Sequence, residues 1–306
     1  MAEHLHKEKN FVSAVVYLHN DADHVLPFFK MLNERLDARF EQYELIAVDD
    51  RCADDTVPQL KEWAKSLQKP LTIIHMSLFQ GVETAMNAGL DCAIGDYVYE
   101  FDCAQAPWPA EMIDAAYDTA MKGSDIVAVC PESQRTGSKW FYKLFNAHSR
   151  SAYKLRTDAF RLVSRRAINR VHAVSAHLPY RKAAYAASGL KMTALLFKGM
   201  VPKANEGRFG LAVDSLALYT DAGYKASLGL TGAMLALTLF ELVYTVAVYL
   251  SGQPVEGWTT TMLVLTVGFA GLFAMLAIAV KYLCLILEFT FKHQTNLIEG
   301  IEKIQK

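Results

Sequence analysis

The 306-residue chain is long enough for one large α/β domain with further segments. Its formal net charge is −1, from 31 Lys and Arg against 32 Asp and Glu, and this balance argues against nucleic acid as a partner. The five cysteines form no C-x-x-C pair, so a zinc site or a disulfide framework is not expected. Reduced cysteines and a polar N-terminus without a signal-peptide core predict a first domain that stays in the cytoplasm.

The first 130 residues alternate apolar runs of strand length with segments of helical periodicity. The predicted strands occupy residues 11–18, 44–48, 71–76, 97–101 and 125–130. The predicted helices occupy residues 25–40, 56–67, 82–93 and 109–121. This alternation predicts an α/β fold whose mostly parallel sheet is covered by helices on both faces.

Beyond residue 131 the sequence becomes more basic and aromatic. It predicts helices at residues 138–153 and 165–174, a short apolar run at 159–163 and a returning strand at 192–197. Residues 213–224 look amphipathic. We expect the segment 211–227 to lie along a membrane surface as an interfacial helix, and packing against the globular domain is an equal alternative.

Two apolar runs, residues 228–250 and 262–289, each exceed the roughly 20 residues that cross a membrane as a helix. No Lys or Arg lies between them, whereas basic residues flank the pair, so both chain ends are predicted to be cytoplasmic. The expected organisation is a cytoplasmic domain at 1–210, the interfacial helix at 211–227, a two-helix transmembrane hairpin at 228–289 and a cytoplasmic tail at 290–306. Gly268, Gly271 and Ala274 would permit close helix packing and a homo-oligomer.

Acidic residues end two of the predicted strands. Asp49 and Asp50 follow one apolar run, and Asp102 follows another. This carboxyl edge is where open α/β sheets bind ligands, and a divalent cation held there by carboxylates can bridge a diphosphate leaving group. The alternative is structural, because strand-end Asp residues also cap loops and helices. The P-loop, G-x-G-x-x-G and G-x-S-x-G motifs are absent, which argues against P-loop, hydride-transfer and serine-nucleophile chemistry.

Several motifs occur in a distinctive order before the apolar pair. Residues 48–56 read V-D-D-R-C-A-D-D-T, residues 81–90 read G-V-E-T-A-M-N-A-G-L, residues 95–96 read G-D and residues 157–162 read T-D-A-F-R-L. They resemble the V-D-D-G-S-x-D-G-T, G-x-x-x-A-x-x-A-G-L, G-D and T-G-D-F-R-L segments of family 2 glycosyltransferases. The resemblance is to the polyprenyl-phosphate branch, which includes dolichol-phosphate mannosyltransferase and undecaprenyl-phosphate glucosyltransferase. It covers nearly the whole chain and implies a GT-A-like domain with membrane helices.

The resemblance also implies roles for individual residues. One set would bind the nucleotide sugar: Asn20, Asp21, Asp49 and Asp50. Asp102 would hold Mg²⁺ or Mn²⁺ beside the diphosphate, and Arg161 would meet a phosphate as a second catalytic residue. Three basic residues would contact the acceptor or a phosphate, with solvated or lipid-facing side chains as the alternative: Arg135, Lys139 and Arg208.

The sequence also departs from the family pattern. The family's D-x-D should place a second carboxylate where Ala104 stands, and sliding the alignment gives Glu100 and Asp102 as E-x-D instead. The family's glycine-serine turn after the acidic pair is replaced by Arg51 and Cys52. Only Asp102 is common to both readings of the metal motif.

The leading hypothesis is therefore inverting transfer of a sugar from a nucleotide-sugar donor to a polyprenyl phosphate. The reaction would take place at the cytoplasmic leaflet, on a multi-pass protein of the cell membrane. The acceptor phosphate is already anionic, so no strong general base is needed. The alternative, motivated by Ala104, is a membrane-anchored, non-catalytic relative that serves as a binding or assembly module.

Overall fold

The computed structural model describes residues 7–133, 136–148, 153–174, 180–199 and 297–304, together with scattered positions between 229 and 286. The chain divides into two compact units. One contains Met1–Leu211 and Gln294–Lys306, and the other contains Ala212–His293.

The described residues of the first unit form eight strands and seven helices. The strands are β1 (Val12–Leu18), β2 (Tyr43–Asp49), β3 (Leu71–Met76), β4 (Tyr97–Phe101), β5 (Ile126–Pro131), β6 (Phe160–Ser164), β7 (Met192–Phe197) and β8 (Ile298–Ile304). The helices are α1 (Val25–Arg39), α2 (Thr56–Ala64), α3 (Val82–Cys92), α4 (Glu111–Met121), α5 (Thr136–His148), α6 (Arg165–Val174) and α7 (Arg181–Ala187). The predicted bounds of β3, β4, β7 and α6 are reproduced residue for residue.

All eight strands join one sheet in the order β7-β5-β6-β4-β1-β2-β3-β8. Neighbours β4, β1, β2 and β3 run parallel, and β5 is parallel to β7. Only β6 and β8 run antiparallel to their neighbours. The mostly parallel α/β sheet is therefore confirmed. Every residue of β2 is buried, as expected for a central strand covered on both faces.

The C-terminal segment differs from the expected tail at 290–306. Residues Ile298–Ile304 form β8, which pairs antiparallel with the outer edge of β3. Five of its seven residues are exposed, and glutamates and a lysine lie between the isoleucines at 298, 301 and 304, which suits a charged edge strand. Its partner lies more than 200 residues earlier, so no local pattern reveals the pairing. The globular unit thus takes its last strand from beyond the apolar runs.

In the second unit the described positions are mostly helical. Among the residues that the structure describes, no helix is both long and apolar enough to span a membrane. A Cβ on Gly271 would lie 2.5 Å from Met234 Sδ, so glycine permits a close helix contact there. The expected interfacial segment at 211–227 lies outside the described residues.

Close packing of α3 on the sheet depends on Gly89. A Cβ there would overlap the Val15 side chain and lie 2.8 Å from Val48 Cγ2, so the helix rests directly on β1 and β2. This contact explains the glycine of the A-G-L segment.

We expect Gly89→Ala to lower the free energy of unfolding by about 1–3 kcal/mol, because the added methyl overpacks the helix–sheet contact. Chemical denaturation followed by tryptophan fluorescence measures the change. Gly300→Ala is the matched control, since a Cβ there has no neighbour within 4 Å. Equal stability of Gly89→Ala and wild type would contradict the packing.

Candidate functional site

The carboxyl ends of β1 and β2 bring Asn20 and Asp21 next to the loop that follows Asp49. Asn20 Oδ1 accepts a hydrogen bond from the Ala53 N–H at 2.8 Å. The Asp21 N–H donates to Thr56 Oγ1 at 2.8 Å. These contacts join the end of β1 to the start of α2. Three residues predicted to bind the nucleotide sugar therefore share one edge of the sheet.

Asp50, the fourth of these residues, is fully buried. Its Oδ1 accepts the Gln80 N–H at 2.8 Å, and its Oδ2 accepts the Gly81 N–H at 2.8 Å and the Tyr17 hydroxyl at 2.9 Å. Burial and, to a lesser extent, the Asp50 carboxylate raise the pKa of Tyr17, so the phenol stays protonated and donates the hydrogen bond. Asp50 therefore positions the loop before α3, because its carboxylate accepts hydrogen bonds from groups of the protein itself.

Asp49 faces a cavity of about 380 Å³. Its Oδ1 accepts the Cys52 N–H at 2.8 Å, and its Oδ2 lies 2.8 Å from His75 Nδ1. Because an ionised carboxylate only accepts hydrogen bonds, His75 donates from Nδ1. Arg51 also lines the cavity and has φ +62°, in the left-handed region that favours glycine. The turn therefore keeps a glycine-like backbone with an arginine side chain, at a cost of roughly 1–2 kcal/mol.

Both oxygens of Asp102 are paired with buried guanidinium groups. Arg161 Nη2 donates to Oδ2 at 2.6 Å, and Arg181 Nη2 donates to Oδ1 at 2.7 Å. The arginine side chains are 2% and 0% exposed, whereas that of Asp102 is 33% exposed. Burial acts to raise the pKa of Asp102, but Arg161 and Arg181 outweigh it and hold this pKa below its ordinary value. Asp102 therefore remains an ionised carboxylate.

Glu100 lies on β4, two residues before Asp102, which directly follows the strand. The two side chains point to the same side, since both accept hydrogen bonds from Arg181. Glu100 Oε2 accepts Arg181 Nη1 at 2.7 Å, and its Oε1 accepts the Tyr185 hydroxyl at 2.5 Å. Burial raises the pKa of Glu100, and the guanidinium groups of Arg181 and Arg161 oppose that rise. Arg181 thus bridges both carboxylates of the E-x-D reading.

Further charges extend this cluster. Glu83 Oε2 accepts Arg181 Nε at 2.9 Å. Asp158 Oδ1 lies 2.5 Å from Lys182 Nζ, and its Oδ2 lies 3.5 Å from Arg161 Nη1. We call the whole set the ion network. Its members are the carboxylates Glu83, Glu100, Asp102 and Asp158 and the cations Arg161, Arg181 and Lys182.

The donor set at Asp102 does not fit the expected Mg²⁺ or Mn²⁺. Both Asp102 oxygens already accept charge-assisted hydrogen bonds, Glu100 is enclosed by Arg181 and Tyr185, and the Ala104 side chain offers no oxygen. Hard divalent cations require about six oxygen ligands. In the described part of the chain, no three His, Cys, Asp or Glu side chains are grouped to hold a metal ion.

The predicted basic residues lie in different environments. Arg161, which was expected to meet a phosphate, is buried and pairs with Glu100, Asp102 and Asp158. Lys139 is exposed on α5. Arg135 and Arg208 lie outside the described residues.

Sequence reasoning missed Arg181, Lys182 and Glu83. Arg181 and Lys182 begin α7, a seven-residue helix that no periodicity predicts. Glu83 reads from sequence as an ordinary acidic residue in the first turn of α3. One sequence signal could have revealed Arg181 and Lys182. They begin a run of Ala and Tyr that looks buried, and buried long cations require charged partners.

Comparisons with known proteins agree with this architecture. A solved mannosyltransferase from Pyrobaculum calidifontis, in complex with GDP-Man and Mn²⁺, superposes with a TM-score of 0.53 over 88% of each chain. At 16% sequence identity, this likeness shows the fold alone. The sheet is thus GT-A-like.

Two curated relatives are similar in sequence. An uncharacterised glycosyltransferase of Synechocystis is 30% identical over 194 residues, which are 61% of this chain and 60% of the relative. A bactoprenol glucosyl transferase of Shigella phage SfV is 27% identical over 168 residues, which are 52% of this chain and 54% of the relative. The matched part of the chain therefore spans between half and two thirds of the length of these relatives.

The family model described as glycosyl transferase family 2 matches residues 13–187. That match runs from β1 to the end of α7, covers more than half of the chain and includes both the acidic edge and the ion network. The chain therefore belongs to glycosyl transferase family 2.

Proposed function

We propose that the protein transfers a sugar from a nucleotide-sugar donor to a polyprenyl phosphate at the cytoplasmic leaflet of a membrane, with inversion at the anomeric carbon. The observation that supports this most strongly is the cavity beside Asp49 at the carboxyl edge of a family 2 sheet. The relative named bactoprenol glucosyl transferase suggests the lipid class of the acceptor.

Inversion follows from a single displacement. An oxygen of the acceptor phosphate forms the new bond to the anomeric carbon while the bond to the nucleoside diphosphate breaks. The phosphate is anionic at neutral pH, so the protein needs to orient the two substrates rather than remove a proton. Asp102, one third exposed and held rigid by Arg161 and Arg181, is suited to orient a donor hydroxyl group.

Membrane anchoring belongs to the same proposal. The apolar runs at 228–250 and 262–289 have the required length, with both termini on the cytoplasmic side. Along the second run, large apolar side chains at three- to seven-residue spacing are exposed: Leu265, Leu272, Leu276, Leu283 and Ile286. An exposed apolar stripe of this kind suits lipid or a second copy of the chain.

The predicted Mg²⁺ or Mn²⁺ does not enter this mechanism. The structural neighbour holds Mn²⁺, whereas in this chain the pairing of Asp102 and the loss of a carboxylate at Ala104 leave no suitable ligand set. We propose donor binding that does not depend on a divalent ion.

A specific observation favours a second candidate, the non-catalytic binding module. Each carboxylate of the ion network already has a cationic partner, so its charge is paired without a substrate. In this reading the fold binds a ligand or partner and performs no transfer.

In a transfer assay, we expect Asp102→Asn to reduce the rate at least about tenfold, because the neutral amide weakens the orientation of the donor by roughly 1.4 kcal/mol or more. The assay uses full-length protein, labelled nucleotide sugars and polyprenyl phosphate in detergent. Asp37→Asn, at an exposed position on α1, is the matched control and should retain wild-type activity. No transfer by wild type with any sugar, together with no nucleotide binding, would refute the transferase proposal.

We expect the affinity of the protein for nucleoside diphosphates to differ by less than about twofold between EDTA and Mn²⁺, or roughly 0.4 kcal/mol. Isothermal titration calorimetry on the full chain measures it. Binding at least tenfold tighter in Mn²⁺ would mean that Asp102 exchanges a guanidinium for the ion, and would overturn the metal-independent proposal.

We expect Arg181→Met to lower the free energy of unfolding by about 3–5 kcal/mol, because Glu83, Glu100 and Asp102 would lose their shared cation. Arg35→Met is the matched control. Arg35 pairs with Glu111 at the surface, so its loss should cost about 1 kcal/mol or less. Similar losses for the two variants, measured by denaturant unfolding, would show that the ion network is not a stabilising core.

A further inference from the structure

The cavity beside Asp49 has a wall that comes from the far end of the chain. Glu299, Gly300, Ile301 and Glu302 of β8 line it, opposite residues that follow β2 and end β3. The family match ends at residue 187, so this wall lies outside the matched segment.

The start of β8 is attached to the loop that Asp50 holds. Gln80 Nε2 donates to the Leu297 carbonyl at 2.8 Å, and Gln80 Oε1 accepts the Leu297 N–H at 3.2 Å. The Ser77 N–H donates to the same carbonyl at 2.9 Å. Side-chain and backbone contacts thus fix β8 against the acidic edge.

The β8 wall presents carboxylates that remain open to ligand. Lys61 Nζ lies 2.8 Å from Glu302 Oε2. Glu302 Oε1 lies 3.9 Å from His75 Nε2, and this ring nitrogen has no hydrogen-bond partner among the described residues. The hydrogen bond from Lys61 lowers the pKa of Glu302, so it remains an acceptor at neutral pH. Glu299 Oε2 lies 3.4 Å from Arg51 Nη1. The Glu299 and Glu302 side chains are 61% and 51% exposed.

This arrangement suits the uncharged end of a nucleotide sugar. Three carboxylates, Asp49, Glu299 and Glu302, meet two cations, Arg51 and Lys61, so the cavity is a poor site for a diphosphate. Base N–H groups and ribose hydroxyls are hydrogen-bond donors, and ionised carboxylates accept only. An acceptor-rich wall beside a strand edge therefore matches a nucleoside.

We infer that β8 forms part of the donor site, with Glu302, supported by Lys61, accepting a hydrogen bond from the base or the ribose 2′-hydroxyl of the nucleotide sugar. The inference rests on the proposed function and identifies a specificity-determining residue for it. Glu299, held by Arg51, borders the same cavity.

The test uses full-length protein in detergent and four probes: UDP, GDP and their 2′-deoxy forms. We expect Glu302→Gln to weaken binding of the preferred ribonucleotide about tenfold, as for loss of a hydrogen bond to a charged acceptor. Glu62→Gln is the matched control, because Glu62 is exposed on α2, where it pairs with Lys65 at the surface. Its affinity should equal that of wild type.

The four probes separate the two sources of the hydrogen bond. If Glu302 binds the ribose, the deoxy form should bind wild type weakly and Glu302→Gln should weaken it no further. If Glu302 binds the base, the loss should be equal for ribo and deoxy forms and should differ between UDP and GDP.

Two results would overturn the inference and are distinguishable from each other. An equal loss for all four probes would show that Glu302 acts only through strand docking, and unchanged affinity would show no role at all. In both cases the proposed function stands, since wild type still binds. Absence of binding by wild type to every probe would remove the proposed function as well.

Discussion

The pairing of Asp102 between Arg161 and Arg181 determines how β4, β6 and α7 meet. In the antiparallel β4–β6 ladder, Glu100 stands directly opposite Arg161. A slip of one residue would move Arg161 to the other face of the sheet and leave buried charges unpaired. Each unpaired buried ion costs several kcal/mol. The ion network therefore enforces the register of β6, which runs antiparallel to both of its neighbours inside the sheet.

The same pairing divides the carboxyl edge of the sheet into two chemically different halves. At β4 and β6 the carboxylates are paired with buried cations. At β2, β3 and β8 the carboxylates of Glu299 and Glu302 are half exposed and border a cavity. In the proposed function, recognition of the donor depends on the second half, and transfer depends on whether Asp102 can act while doubly paired. The two candidate functions differ on that point.

Much of the fold could be predicted from sequence because the central strands are continuous apolar runs between helical segments. The acidic edge was also predictable, since strand-end residues of parallel strands meet there. Period 2 shows that Asp49 and Asp50 point to opposite faces, but it does not show which one meets the cavity. Arg181 and β8 escaped prediction for a common reason: their partners, Glu100 and β3, are distant in sequence, and neither pairing leaves a local periodicity.

Hydrogen bonds connect the buried acid to the returning strand. Asp50 accepts the Gln80 N–H, and the Gln80 side chain in turn holds both polar backbone groups of Leu297. Among the described strands, β8 pairs with β3 alone, and it exposes Ile301, so it has fewer stabilising contacts than the central strands. A ligand that contacts docked β8 must favour the docked state over an undocked one. Linkage then requires the converse: the docked state binds that ligand more tightly than the undocked state by the same factor by which the ligand favours docking.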